Sequence, residues 1–363
     1  MNRIRQTIAC AALALLVGTV GASAQQVTER KNDPFYQWFI PQSQAFGLEM
    51  LGARIAVAEA YPAPVPAGLV AELEKMATKD LHRFLGTLQQ KNAGLATQLK
   101  TVVDDVMKAV KGGQSAATAA ARAKPLLAQA YNAVIEPTLQ SNTAFRAGVL
   151  TNVLMAEDGV SEGFEEAVKP TGPWQYPTSW AAYVRTLALW KDLQPSAKGD
   201  TLTEGNLLID NMKHFYTAGA QPKLPLPVED QEELEALAGG MINVLEALAD
   251  AHLFTGRDLP KHAQFLADTL APACADFQAG RDALALERVY AVADQFTSET
   301  AGIAGAIVVL APDTDERAKA LFPRLIVTRY TAAPDKINRA MPAAEACRGL
   351  VTVMNETKKA VGG

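Results

Sequence analysis

Apolar residues recur at three- and four-residue intervals along almost the whole chain, the spacing of one face of an α-helix. A helix spans the region from Gln44 to Tyr61 and stops at Pro62, Pro64 and Pro66, a stiff extended break. One stripe then runs through Leu73, Ala77, Leu81, Phe84 and Leu88, and a second through Leu95, Leu99, Val102, Val106 and Val110. Gly112-Gly113 ends the second helix and Ser115 can cap the next. That helix is alanine-rich from Ala116 to Ala123, resumes its stripe at Leu126, Leu127, Ala130, Tyr131 and Val134, and meets Pro137. Phe145, Val149, Val153 and Leu154 mark another. Later stripes lie at Leu234, Leu237, Met241, Leu245 and Leu248, around Phe265, Leu266 and Leu270, around Val289, Val292 and Phe296, and at Ile303 and Ile307. Only Leu325 to Tyr330 has strand-like composition, and a buried helical turn fits it nearly as well. The pattern predicts an all-α protein, a multi-helix up-and-down bundle with two packed halves. Pro222, Pro225 and Pro227 mark a connection at 220–227, with one bundle over 25–219 and the other over 228–363, or with the two joined as one continuous domain. Glu229, Asp230, Glu232 and Glu233 then occupy the first turn of a helix, where its dipole favours negative charge.

Residues 1–24 have a different pattern. Arg3 and Arg5 precede an apolar run from Ile8 to Val20, followed by Ala22-Ser23-Ala24. This is the arrangement of a cleavable secretory signal peptide, and the run is short for a membrane span. The expected mature chain starts at Gln25, is exported to the periplasm, and inserts no further segment in a membrane. Loss of Arg3 and Arg5 takes the formal charge from -5 to -7, which argues against a nucleic-acid partner. Cys10 leaves with the leader. Cys274 and Cys347 remain as an even pair in an oxidising compartment, a candidate disulfide closing a loop of about 73 residues.

Catalytic patterns are missing. The chain has no G-x-S-x-G, S-x-x-K, P-loop, C-x-x-C or H-E-x-x-H, so the expectation is a binding or interaction protein and not an enzyme. On a helix, Asp158, Glu162, Glu165 and Glu166 share a face, and carboxylates so placed repel unless a cation offsets them. They suit iron or another hard cation. They equally suit an acidic first turn after Gly159, with Ser161 as its cap. His252 and His262 flank a short connection and can approach each other near Asp250 or Asp258, as metal ligands or as ordinary helical histidines. Trp180, Tyr183 and Trp190 sit at helical spacing and read as packing anchors, while Phe35, Tyr36, Trp38 and Phe39 read as docking the chain start onto the bundle.

Over residues 43–193 the chain resembles the soluble periplasmic helical domains of high-affinity iron permeases and the imelysin-like iron-uptake proteins. The resemblance lies in the alanine-rich helix ending at Glu59-Ala60-Tyr61, the helices parted by Gly112-Gly113, Glu162-Gly163-Phe164-Glu165-Glu166-Ala167-Val168, and Trp180-Ala181-Ala182-Tyr183-Val184. It implies a role in periplasmic metal uptake, with a membrane permease or envelope protein as partner. The family's H-x-x-E motif has no counterpart: Leu85, Thr217, Thr255 and Phe265 stand third after the four histidines. The permease's R-E-x-x-E motif is only echoed, with Ser161 in place of the arginine. The alternative is a helical envelope scaffold with no ligand chemistry.

Overall fold

Helix α1 (Pro34–Ala60) is 27 residues long and spans about 40 Å. It is apolar on nearly every side, and residues 42–51 are all buried, as expected of a helix enclosed by others. The computed structural model describes residues 34–226, 230–253, 258–297, 303–328 and 334–362. The expected signal peptide lies outside these residues. The fold is all-α, with helices packed as a bundle and no strand among the described residues.

Three buried cores surround α1. The first is built from α2 (Ala67–Leu73), α3 (Leu85–Lys91), α4 (Ala93–Lys111) and α5 (Ala117–Val134), with Ala45, Leu48 and Leu51 of α1. A short α6 (Pro137–Gln140) leads into α7 (Thr143–Met155). The second core joins α7 to α8 (Val160–Val168), α9 (Tyr176–Leu193), α10 (Gly199–Met212) and α11 (Gln231–Ala249), and takes Phe46 and Met50 from α1. The third holds α12 (Leu259–Gln278), α13 (Asp282–Thr297), α14 (Ala304–Leu310), α15 (Pro312–Leu325) and α16 (Ala343–Val361), and takes Phe35 and Phe39 from α1.

Side-chain caps set several of the helix starts. Asn92 caps α4 by accepting from the Leu95 amide at 3.0 Å, and Asn142 caps α7 by accepting from Phe145 at 2.9 Å. Asp230 accepts from the Glu232 and Glu233 amides at the start of α11. Helix α4 buries every member of its predicted stripe. Tyr183 and Trp190 are buried on α9, with the Trp190 indole donating to Asn206 at 2.9 Å. A Cβ on Gly205 would stand 2.4 Å from that ring, so glycine is what lets α10 approach α9. Phe39 and Tyr36 pack on Phe265 of α12, as expected for docking of the chain start.

Three local expectations change. The stripe from Leu73 to Leu88 is not one helix: after α2 come a π-helical turn (Met76–Asp80) and a 3-10 turn (Leu81–Arg83) before α3. Lys79, Asp80 and Arg83 within that stretch are buried charges, and the altered winding aims them at partners on α1 and elsewhere. Second, α11 lies beyond the 220–227 connection yet packs on α7, α8 and α10. The packing therefore turns to its last core after Ala249. Third, α15 continues to Leu325, and of the strand-like stretch only Ile326 to Thr328 follow it among the described residues.

Cys274 of α12 and Cys347 of α16 are disulfide-bonded, with Cα atoms 5.3 Å apart. These two helices form the main packing pair of the third core.

Candidate functional site

The acidic segment meets cations of the protein itself. Asp158 does not lie on α8: it precedes the helix in a left-handed conformation with φ 69°. Its carboxylate accepts from Lys75 at 2.7 Å and Lys79 at 2.6 Å, and Arg54 stands 3.2 Å away. Glu157 pairs with Lys79 at 3.2 Å. Arg54 also pairs with Asp80, and Arg83 grips Asp294 of α13 with both guanidinium nitrogens, one at 2.8 Å. Burial works against the Lys79 charge, and Asp158 and Glu157 reverse that effect, so its pKa stands above the ordinary lysine value. A Cβ on Gly47 would meet the Arg83 side chain at 2.6 Å, so the cluster depends on close approach to α1.

On α8 itself the N-cap position is Gly159, and Ser161 lies inside the helix without a capping bond. Glu162 is buried in the first turn. Glu165 and Glu166 accept from Lys169 at 2.7 and 2.8 Å, which hold the lysine pKa up at about 12. A cation at Asp158 would have to displace two lysines and an arginine. Among the described residues, no three His, Cys, Asp or Glu side chains are grouped as a metal site.

The two candidate histidines occupy different surroundings. His252 faces Glu246, with Nδ1 3.6 Å from the carboxylate. His262 is buried against Phe35 and Tyr36, and neither ring nitrogen has a hydrogen-bond partner among the described residues. Burial lowers its pKa to about 4. Part of their connection, 254–257, lies outside the described residues.

A groove of about 720 Å³ opens between α1, α5, α7 and α9. Its walls carry Leu48, Ile55, Leu127, Val149, Val184 and Leu189, while Gly52, Ala56 and Ala128 leave the space unfilled. Val184 is exposed on this wall. Polar groups converge on the same space. Arg185 Nε donates to Glu49 at 2.6 Å. Burial and the Glu49 charge push the Tyr131 phenol up to about 12, so it stays protonated and able to donate. Arg146 stands 3.8 Å from Asp192 and makes no side-chain hydrogen bond among the described residues. Apolar walls with a few convergent polar groups in this size range describe a small-molecule site.

Compared with protein-family models, curated proteins and solved structures, the chain matches none.

Sequence reading missed this groove, and it missed Arg54, Lys79, Asp80 and Arg83 as buried charges. The only advance signal for the groove was the run of small residues on two separate helices.

Proposed function

We propose that the protein is an exported binding protein whose ligand sits in the groove between α1, α5, α7 and α9. The observation that carries this reading is the groove itself, with apolar walls, Tyr131 and an Arg146 whose side chain makes no hydrogen bond among the described residues. The N-terminal leader pattern supports a periplasmic location, and no described helix is long and apolar enough to cross a membrane. The resemblance to iron-uptake proteins supports a place in envelope uptake beside a permease. A site for iron or another hard cation on Asp158, Glu162, Glu165 and Glu166 has weaker support, because three of those four carboxylates are engaged by lysine or arginine.

The test is native mass spectrometry of protein purified from periplasm, beside an Ala128→Trp variant. Ala128 is exposed on the groove wall, so an indole there fills the space without entering the core. A copurifying small molecule in the wild type and its loss in the variant is the expected result. The same bound mass in both, or none in either, contradicts the reading; the second outcome favours the scaffold alternative.

A further inference from the structure

Resting on that reading, we infer that the groove selects an amphipathic monocarboxylate, with its carboxylate at Arg146 and Tyr131 and its apolar body along the α1, α5 and α9 walls. Charge comes first. The lining holds three basic side chains, Lys124, Arg146 and Arg185, against two acidic ones, Glu49 and Asp192. Glu49 is engaged by Arg185 at 2.6 Å, and Lys124 reaches away to Glu59 at 2.7 Å. Asp192 is a rim residue with its side chain 70% exposed, so its pull on Arg146 at 3.8 Å is screened by water.

Arg146 is thus the basic side chain with no hydrogen-bonded carboxylate among the described residues, whereas Arg185 commits its Nε to Glu49. Its side chain is only 24% exposed, and a half-buried guanidinium without hydrogen bonds is matched best by a planar carboxylate. Tyr131 lies within the fields of Glu49, Arg146 and Arg185, and its hydroxyl has no hydrogen-bond partner among the described residues. The phenol supplies a second donor. A cationic headgroup finds Glu49 already paired and only Asp192 beyond it, a rim carboxylate whose attraction is screened by water. An uncharged alcohol fills the walls but leaves the guanidinium unmatched.

The experiment is isothermal titration calorimetry of the mature protein at pH 7.5 with octanoate, 1-octanol and octylamine, which share one body and differ in headgroup. Octanoate should bind about tenfold more tightly than octanol, with octylamine weakest, as expected for a charge-assisted hydrogen-bonded seat. Arg146→Gln should weaken octanoate about tenfold and Tyr131→Phe about threefold, while both leave octanol binding unchanged. Melting temperatures of both variants establish that they fold. Octanol binding as tightly as octanoate, or Arg146→Gln binding octanoate like the wild type, overturns carboxylate selection and leaves the groove as a binding site. Failure of all three probes to bind overturns both.

Discussion

Glu49 and Arg54 lie five residues apart on α1 and serve two different charge assemblies. Arg54 enters a cluster closed on itself, where Asp80, Asp158, Lys75 and Lys79 face one another at the π-helical turn. Burial disfavours the Arg54 charge, but Asp80 and Asp158 outweigh it and raise its pKa. Glu49 belongs to the groove, where Arg185 is paired but Arg146 and Tyr131 keep unused donors beside open apolar walls. In the cluster each strong charge is paired with an opposite one, even though Arg54 Nε and Nη2 have no hydrogen-bond partner among the described residues, so it fixes helices in place. In the groove the answers are incomplete, so it is suited to a ligand.

The contrast is broken most directly by removing a charge from the closed cluster. Asp158→Asn keeps the shape and tolerates the left-handed backbone, but leaves Lys75, Lys79 and Arg54 without their shared counter-charge. It should lower stability by about 3–5 kcal/mol in guanidinium denaturation. A loss below about 1 kcal/mol would mean that the cluster is not a structural lock.

The disulfide gives a control in a region remote from both assemblies. The double variant Cys274→Ser with Cys347→Ser should lose about 4 kcal/mol through the freed loop in the chain-entropy model. Ligand affinity of the groove should stay unchanged where the variant remains folded, because α12 and α16 do not line it.

His262 is a buried group with no hydrogen-bond partner among the described residues. Its pKa falls from 6.5 in the unfolded chain to about 4 in the folded protein. Full stability from this residue is present above about pH 6.5. As pH drops toward 4 the unfolded chain takes up the proton first, so stability falls by a total of about 3 kcal/mol. Thermal melts from pH 7 to 4 should show this slope, and His262→Leu should flatten it.

The smallest effect on stability belongs to the groove. Arg146→Gln should change the unfolding free energy by no more than about 0.5 kcal/mol, since the residue forms only one screened rim pair. A large loss there would make the groove charges structural after all.

What could be read in advance follows from what is local. Helix α4 and the Asn92 and Asn142 caps depend on neighbours within a turn or two, and the aromatic anchors on α9 show by their helical spacing although their partners lie on α10 and beyond. The Cys274–Cys347 bond was legible because only two cysteines follow residue 24. The ion pairs of Asp158 were not legible because its partners Lys75 and Lys79 lie about eighty residues upstream, on a stretch whose apolar spacing looked like an ordinary amphipathic helix. Glu165 and Glu166 are neutralised by Lys169, three and four residues on, a pairing that sequence spacing does show. The groove was invisible because its walls come from four helices, and a cavity is defined by atoms that are missing between them.

The most direct test of the ligand groove is titration of octanoate into the wild type and Ala128→Trp under identical conditions. The account predicts saturable binding to the wild type and at least about tenfold weaker binding to the variant, with both melting at the same temperature. Equal affinity in the two proteins would place the ligand elsewhere and contradict it.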